Sequence, residues 1–236
     1  MSAGTLYLVP TLLGHASLGG SIPAEVAALD GRLDYYVAEN ARTARASLKA
    51  LPLVRAIQSI EIRELDVRTP DAELPALLAP ILGGRDGGLI SEAGCPAIAD
   101  PGAKLVDLAH RHGVRVTPLV GPSSLLLALM ASGLNGQSFA FHGYLPSEAT
   151  ARDARLAELE QFSRRARQTQ IFIETPYRNA ALLDAMARVL GKTTKVCVAT
   201  DLTLPTETIR TLAAPAWAGV GASLNKRPSV FLFLSA

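Results

Sequence analysis

The chain has 236 residues, of which 49% are apolar and 19% are charged, and its formal net charge is +2. This composition excludes a disordered tail and a fibrous repeat, and so small a net charge does not by itself indicate a nucleic-acid partner. Aromatic residues make up 5% of the chain, too few to favour a surface on which single-stranded bases stack.

In the first half of the chain, short apolar runs alternate with helical patterns. Helices are predicted near residues 22–30, 41–50, 71–82 and 102–112. Between them we predict strands at Leu6–Val9, Tyr35–Ala38, Ile60–Leu65, Gly88–Ile90 and Val114–Leu119. This alternation favours βαβ units and a mostly parallel sheet that is covered on both faces.

The pattern restarts after a Gly-Pro turn near residues 118–122. We predict helices from Ser123 to about Ser132, over 151–167, and from a Thr175-Pro176 cap to about Leu190. Further strands are predicted at Phe139–His142, Ile171–Glu174, Val196–Ala199, Thr208–Leu212 and Ser229–Leu234. The sequence therefore predicts two α/β domains with mostly parallel or mixed sheets, spanning 1–119 and 120–236.

Cysteine usage and hydropathy predict the cellular compartment of the protein. Cys95 and Cys197 make neither a disulfide framework nor a zinc site, and no His/Cys cluster has metal-ligand spacing. The N-terminus lacks the pattern of a signal peptide, and the most apolar run, 125–134, is about half as long as a membrane span. We expect a cytoplasmic protein with no metal and no membrane segment.

Positive charge is unevenly distributed. Residues 1–118 carry 11 Lys and Arg against 13 Asp and Glu, whereas residues 119–236 carry 12 against 8. Much of the second excess is contributed by Arg164, Arg165 and Arg167. These arginines indicate either a solvated helix face or a patch that faces phosphates.

Loops that follow the predicted strands have an unusual composition. Segment 91–102 holds two glycines and two prolines, and segments 10–15, 121–124 and 174–178 follow other strands. Ligands of open α/β sheets lie beyond the carboxyl ends of the strands. Glycine in these loops lets the backbone approach a ligand closely. The sequence has neither a Walker lysine motif nor a G-x-G-x-x-G motif, so neither a nucleoside triphosphate nor NAD is indicated.

At these loops the chain resembles the tetrapyrrole methylase superfamily of S-adenosylmethionine-dependent methyltransferases, within it the 16S rRNA ribose 2′-O-methyltransferase I branch. Six segments carry the resemblance in order: Leu6–Gly14 (LYLVPTLLG), Glu39–Arg42 (ENAR), Ser91–Gly102 (SEAGCPAIADPG), Pro118–Ser124 (PLVGPSS), Phe141–Pro146 (FHGYLP) and Ile171–Arg178 (IFIETPYR).

The resemblance implies two α/β domains with S-adenosylmethionine in a cleft between them, and a homodimer. Carried over by position, backbone groups near the methionine end would come from Ala93, Gly94, Cys95, Pro96 and Ile98. Ser123 and Ser124 would lie on a second cofactor loop. Thr175, with backbone near Ala199 and Pro228, would help to enclose the adenosine.

The chain departs from the branch at several motif positions. The branch has Pro-Ile-Gly-Asn where this chain has Leu12-Leu13-Gly14-His15, Glu-Asp-Thr-Arg where it has Glu39-Asn40-Ala41-Arg42, and Thr-Pro where it has Cys95-Pro96. The branch also carries a further C-terminal segment. These departures bear on the RNA acceptor more than on the cofactor.

Polar side chains at the strand ends are the candidate catalytic residues. An oxygen or nitrogen acceptor can require a base that takes its proton. We single out Glu39, Arg42 and Glu92 as catalytic candidates. His15 is a further candidate base, and Arg178 is a candidate to bind a phosphate or carboxylate.

Three readings of the function stay open at this point. The first is a methyltransferase that acts on a ribose hydroxyl of ribosomal RNA, with RNA as partner. The second is a methyltransferase that acts on a tetrapyrrole or another small molecule. The third is a non-catalytic module that binds S-adenosylmethionine.

Overall fold

The computed structural model describes residues 2–14 and 20–235. The chain divides into two compact units, Met1–Ser123 (unit 1) and Ser124–Ala236 (unit 2). Each unit contains one five-stranded sheet with its own helices.

Unit 1 is built on a wholly parallel sheet. Its strands lie in the order β3-β2-β4-β1-β5. They are β1 (Thr5–Val9), β2 (Tyr35–Ala38), β3 (Glu61–Glu64), β4 (Gly87–Ile90) and β5 (Arg115–Pro118), and the helices are α1 (Ala24–Asp30), α2 (Ala41–Leu48), α3 (Leu74–Leu82) and α4 (Ala103–Arg111).

Helices cover both faces of this sheet. Successive residues of a strand point to opposite faces, and neighbouring residues of β2 are buried on each of them. Tyr35 is fully buried among apolar residues of α3 and α4, such as Leu78 and Leu105. Its neighbour Tyr36 is fully buried on the other face, where Leu48 of α2 packs. The sheet is therefore parallel and covered on both faces, as the alternation of apolar runs and helical patterns predicts.

Unit 2 contains a mixed sheet in the order β6-β7-β10-β8-β9. Strands β6 and β7 are parallel, whereas β10 runs antiparallel to both β7 and β8, and β9 runs antiparallel to β8. The strands are β6 (Phe139–Tyr144), β7 (Thr169–Ile173), β8 (Lys195–Thr200), β9 (Thr208–Ala213) and β10 (Ser229–Leu234), and the helices are α5 (Ser124–Ser132), α6 (Ala149–Ala166) and α7 (Asn179–Val189). Its core includes Phe172, Phe233 and Trp217.

The predicted α/β class with parallel and mixed sheets is confirmed, and each predicted strand and helix has a counterpart in the described residues. One predicted helix start is wrong. Thr175-Pro176 does not begin α7, which starts at Asn179. The Arg178 amide donates to the Thr175 carbonyl at 2.8 Å, so these residues form a turn ahead of the helix.

Candidate functional site

The carboxyl ends of the unit 1 strands bring several of the predicted loops to one edge. The strands are parallel, so the segments that follow β1, β2, β4 and β5 all leave the same edge of the sheet, where ligands of such sheets bind. These segments begin at Pro10, Glu39, Ser91 and Leu119.

The loop after β4 is joined to the loop after β1. The Thr11 amide donates to the Gly94 carbonyl at 2.9 Å, and the Gly94 amide donates to the Thr11 carbonyl at 3.2 Å. Gly94 has a φ of +75°, and a Cβ there would lie 3.1 Å from Leu13 Cδ2 and 3.3 Å from the Pro122 carbonyl oxygen. Glycine is therefore required at this position by both conformation and space.

The second half of the same loop is held by Asp100. Its carboxylate accepts hydrogen bonds from the Ala97 amide at 2.9 Å and the Gly102 amide at 2.7 Å. Within this turn Ala97 and Ala99 have φ angles of +64° and +61°, a left-handed conformation that costs about 1–2 kcal/mol for each non-glycine residue. Strain of this kind clusters at ligand sites.

Cys95 and Gly121 connect this loop cluster to the segment after β5. The Cys95 thiol donates to the Pro122 carbonyl at 3.4 Å, and burial raises the pKa of this thiol. A Cβ on Gly121 would lie 2.2 Å from Pro10 Cβ, so the Pro10 ring packs against the Gly121 backbone where only glycine leaves room. Cys95 is thus a neutral, small loop residue rather than a nucleophile.

The 91–102 loop fits a cationic methyl donor. It contains no Lys, Arg or His, and its ends carry the carboxylates of Glu92 and Asp100. Ala93 and Ile98 are exposed, so their part of the loop is accessible. Backbone carbonyls near two negative charges suit a sulfonium and an ammonium group.

Two of the three predicted catalytic side chains interact electrostatically. Burial, followed by the negative charge of Glu92, raises the pKa of Glu39. Glu92 Oε1 accepts a hydrogen bond from the Thr43 hydroxyl at 2.6 Å. A carboxyl group with a raised pKa beside a loop cluster is a candidate general base.

Arg42, the third candidate, is exposed in the first turn of α2. Asn40 caps this helix, since its side-chain oxygen accepts from the Arg42 and Thr43 amides at 2.9 and 3.2 Å. Asn40 therefore caps the helix at the position where the methyltransferase branch that the chain resembles has aspartate.

A cavity of about 500 Å³ adjoins this edge on the α2 side of the sheet. Its wall includes Leu12, Thr43, Glu92 and Asp30. Asp30 is 3% exposed, and its carboxylate accepts a hydrogen bond from the Tyr36 hydroxyl at 2.5 Å. Burial raises the pKa of Asp30 to about 6 from 3.8, because desolvation outweighs this bond.

The Asp30→Asn variant is expected to remove part of the pH dependence of stability. Folded Asp30 keeps its proton up to about pH 6 whereas the unfolded chain releases it near 3.8, so the wild type loses stability as the pH rises through this interval, by up to about 3 kcal/mol. Asparagine has no such proton and its oxygen still accepts from Tyr36. Urea unfolding at about pH 4 and about pH 7 measures the difference. Glu25→Gln, at an exposed acid of the same helix, is the control, and equal pH dependence of Asp30→Asn and wild type would contradict the expectation.

The predicted adenosine residues lie at one edge of the unit 2 sheet, near the end of β8 and the start of β10. The Asp201 amide donates to the Pro228 carbonyl at 3.0 Å. Ala199 is fully buried within β8. Thr175 follows β7 and is exposed, and its amide donates to Glu174 Oε1 at 2.7 Å.

Arg178, predicted to bind a phosphate or carboxylate, pairs with a carboxylate of its own chain. Its guanidinium lies 2.7 Å from the buried Glu174 carboxylate. The four-residue spacing of these two residues is also the spacing of a local ion pair.

Sequence reasoning missed the role of Asp100 and did not single out Thr43 or Asp30. An Asp-Pro-Gly run is typical of a turn in which the aspartate oxygen accepts a later backbone amide, and this signal was available for Asp100. Thr43 and Asp30 stand in ordinary helical patterns that carry no comparable signal. His15 lies outside the described residues. Ser123 and Ser124 are both half-buried; Ser123 precedes α5 and Ser124 is its first residue.

The described residues hold neither a membrane-spanning helix nor a metal-binding cluster. Across residues 2–14 and 20–235, no helix combines the length and apolar character needed to cross a membrane. The same residues contain no cluster of three or more His, Cys, Asp or Glu side chains placed to hold a metal ion.

Comparison with known proteins gives the family. The family of Tetrapyrrole (Corrin/Porphyrin) Methylases matches residues 25–216. The chain is also similar to the ribosomal RNA small subunit methyltransferase I of Vibrio cholerae, with 35% identity over 208 residues that cover 88% of this chain and 68% of the relative. The chain belongs to the tetrapyrrole methylase family.

Solved structures of other methyltransferases share the fold. The methyltransferase CobJ has a TM-score of 0.64 at 17% identity, covering 99% of this chain and 95% of CobJ. A uroporphyrin-III C-methyltransferase from Thermus thermophilus, complexed with S-adenosylhomocysteine, has a TM-score of 0.59 at 15% identity, covering 98% of this chain and 97% of that protein.

The sequence-based prediction of the protein class is thereby confirmed. The chain is a methyltransferase that uses S-adenosylmethionine as its methyl donor.

Proposed function

We propose that this methyltransferase acts on a ribose 2′-hydroxyl of ribosomal RNA. The observation that carries the ribosomal RNA acceptor is the 35% identity, over 88% of the chain, to a protein named as a ribosomal RNA small subunit methyltransferase. The 2′-hydroxyl is what the resemblance of the six motif segments implies. Structures of methyltransferases at 17% and 15% identity support the fold alone, so the proposal does not draw its acceptor from them.

The residues proposed to hold S-adenosylmethionine lie in the loops described above. In unit 1 they are Ala93, Gly94, Cys95, Pro96, Ile98 and Ser123, and in unit 2 they are Ser124, Thr175, Ala199 and Pro228. Both backbone groups of Gly94 are bonded to Thr11, so we assign Gly94 the role of shaping the loop. To Ala93 and Ile98, which are exposed in the same loop, we assign the role of offering backbone groups to the methionine end.

Glu39 is the proposed general base. When bound, S-adenosylmethionine supplies an electrophilic methyl group that needs no further activation. The Glu39 carboxylate takes the proton of the ribose hydroxyl as the oxygen–carbon bond forms and the carbon–sulfur bond breaks. Its raised pKa makes it a better proton acceptor than an ordinary carboxylate.

Glu92 and Arg42 have supporting roles in this proposal. The Glu92 charge raises the pKa of Glu39, and the Thr43 hydroxyl fixes one Glu92 oxygen. Arg42 is exposed in the turn that follows Glu39, where its guanidinium can bind a phosphate of the acceptor.

A methyl-transfer assay with divided acceptor pools tests the proposal. Labelled S-adenosylmethionine is supplied together with small ribosomal subunits, with naked small-subunit rRNA, or with a pool of small molecules that includes tetrapyrroles. We expect label in one of the RNA pools. Label that enters only the small-molecule pool would replace the proposed acceptor, and label in no pool from a folded protein that binds the donor would favour the non-catalytic reading.

We also propose that the protein acts as a homodimer in the cytoplasm. The resemblance implies a dimer, and several large apolar side chains of unit 2 are exposed, with Met130 79% and Leu126 50% accessible one turn apart on α5. Large apolar side chains that are exposed together on one helix often belong to an interface.

Replacing Met130 and Leu126 by glutamate is expected to dissociate the dimer. Two buried carboxylates in each half of a two-fold interface would oppose each other across the contact. Light scattering at micromolar concentration measures the mass, with Val67→Glu, at an equally exposed apolar residue of unit 1, as control. A wild type of monomer mass would contradict the dimer, and a dimeric double variant would place the interface elsewhere.

A further inference from the structure

Unit 2 carries a group of exposed cations at one edge of its sheet. Arg165 belongs to the last turn of α6 and Arg167 follows this helix. Lys192 lies in the loop after α7, and Lys195 is the first residue of β8. All four residues are exposed, and we call them the basic edge.

A polar network brings the two segments of the basic edge together. Glu160 of α6 accepts hydrogen bonds from the Gly191 amide at 2.7 Å and from the Thr194 hydroxyl. Arg164 and Thr194 both contact the Ser235 hydroxyl, each at 3.1 Å. Since Thr194 and Ser235 are buried, the end of α6 is fixed against the loop that holds Lys192 and the start of β8.

Several other cations of unit 2 are held in ion pairs. Arg155 pairs with Glu158 at 2.6 Å and Arg188 pairs with Asp153 at 2.8 Å. Within the described part of the chain, no ion pair includes a residue of the basic edge. The Glu160 carboxylate of this network accepts both bonds from the 191–194 loop on one oxygen, Oε1.

Four exposed cations on a rigid support form a surface that suits a polyanion. A row of phosphates bound there neutralises these cations while counterions are released. The resulting binding is insensitive to base sequence, because phosphate contacts position a nucleic acid without reading it.

We propose that the basic edge binds the phosphate backbone of folded RNA at a point remote from the methylated ribose. This inference rests on the proposed function. The basic edge lies at the start of β8 and the predicted adenosine residues lie at its end, and six residues of strand span about 20 Å. A short oligonucleotide that contains only the acceptor nucleotide therefore does not reach the basic edge, whereas folded ribosomal RNA does.

Salt-dependent RNA binding of a charge-removed variant tests the inference. The edge variant is Arg165→Gln/Lys192→Gln/Lys195→Gln, and it leaves Arg164 in place because that side chain contacts Ser235. The control variant is Lys49→Gln/Arg111→Gln/Arg115→Gln, which removes the same charge from exposed positions of unit 1. Filter binding to a transcript of small-subunit rRNA is measured at several salt concentrations, alongside binding of S-adenosylhomocysteine and circular dichroism.

We expect the edge variant to bind the transcript at least about tenfold more weakly at low salt and its log–log salt slope to fall by about two. The control variant is expected to keep the wild-type slope, and both variants to bind S-adenosylhomocysteine normally. If the triple variant does not fold, Lys192→Gln/Lys195→Gln is expected to give a slope change of about one.

Two results would overturn the inference, and they are distinguishable. If the edge and control variants have equal salt slopes and the wild type methylates the transcript, the basic edge does not bind RNA, and the proposed function is unaffected. A wild type that binds S-adenosylhomocysteine but neither binds nor methylates ribosomal RNA, naked or in subunits, would refute both the RNA-binding role of the basic edge and the proposed function.

Discussion

Replacing Gly94 by valine is expected to lower the affinity for S-adenosylmethionine by about a hundredfold, equivalent to about 3 kcal/mol. Valine at a φ of +75° is strained, and its Cβ would lie 3.1 Å from Leu13 Cδ2 and 3.3 Å from the Pro122 oxygen. Relief of this strain requires the pairing of Gly94 with Thr11 to break. The loop that carries Ala93 and Ile98 then loses the position that it needs to bind the donor.

The matched control for this substitution is Gly113→Val. Gly113 has a φ of +67°, but a Cβ there would meet nothing within 4 Å, and the residue follows α4, away from the strand ends that form the site. Both variants are expected to lose stability through strain, whereas only Gly94→Val is expected to lose affinity in calorimetric titration. Equal affinities of the two variants for S-adenosylhomocysteine would show that the loop does not hold the donor.

Replacing Glu39 by glutamine is expected to reduce kcat by about a hundredfold to ten-thousandfold, the usual contribution of a general base, with donor affinity unchanged. The glutamine amide keeps the size of the side chain and cannot take a proton. Single-turnover methyl transfer with rRNA measures the effect. Glu64→Gln, at the end of the neighbouring strand β3, is the control, since the retained Oε1 still accepts the Ala41 amide. A Glu39→Gln variant with wild-type kcat would exclude Glu39 as the base.

The Glu92→Gln variant gives the pH signature of this role. A base works only when ionised, so the rate of the wild type is expected to rise with pH through the pKa of Glu39, which burial and Glu92 raise. Removal of the Glu92 charge lowers that pKa, and the rise is therefore expected at lower pH in Glu92→Gln. An unchanged profile would mean that another group titrates.

Periodicity made the fold predictable to a large extent. Tyr35 and Tyr36 belong to an apolar run whose residues are buried on both sides, as in parallel sheets covered by helices. The predicted start of α7 failed because Thr175-Pro176 is a good local helix start, whereas the buried Glu174 carboxylate binds the Thr175 amide and pairs with Arg178. A burial-dependent interaction of that kind leaves no periodic signal.

The loops of the site were predictable, but their contacts were not. Glycine and proline content identified the 91–102 segment, and strand order then places it beside the segment after β1. The bond from Thr43 to Glu92 joins residues 49 positions apart, and the pKa of Glu39 depends on burial and on charges from other loops. The pairing of strands that creates these contacts is set by the whole unit and not by any local pattern.

The chemical position of the transferred methyl group tests the proposed function most directly. Small ribosomal subunits and naked rRNA, both lacking the modification, are incubated with the protein and labelled S-adenosylmethionine, and the RNA is digested to nucleosides for mass spectrometry. We expect a single 2′-O-methylated nucleoside, formed by the wild type and strongly reduced with Glu39→Gln. Label on a base, or no label in either RNA from a folded protein that binds the donor, would contradict it.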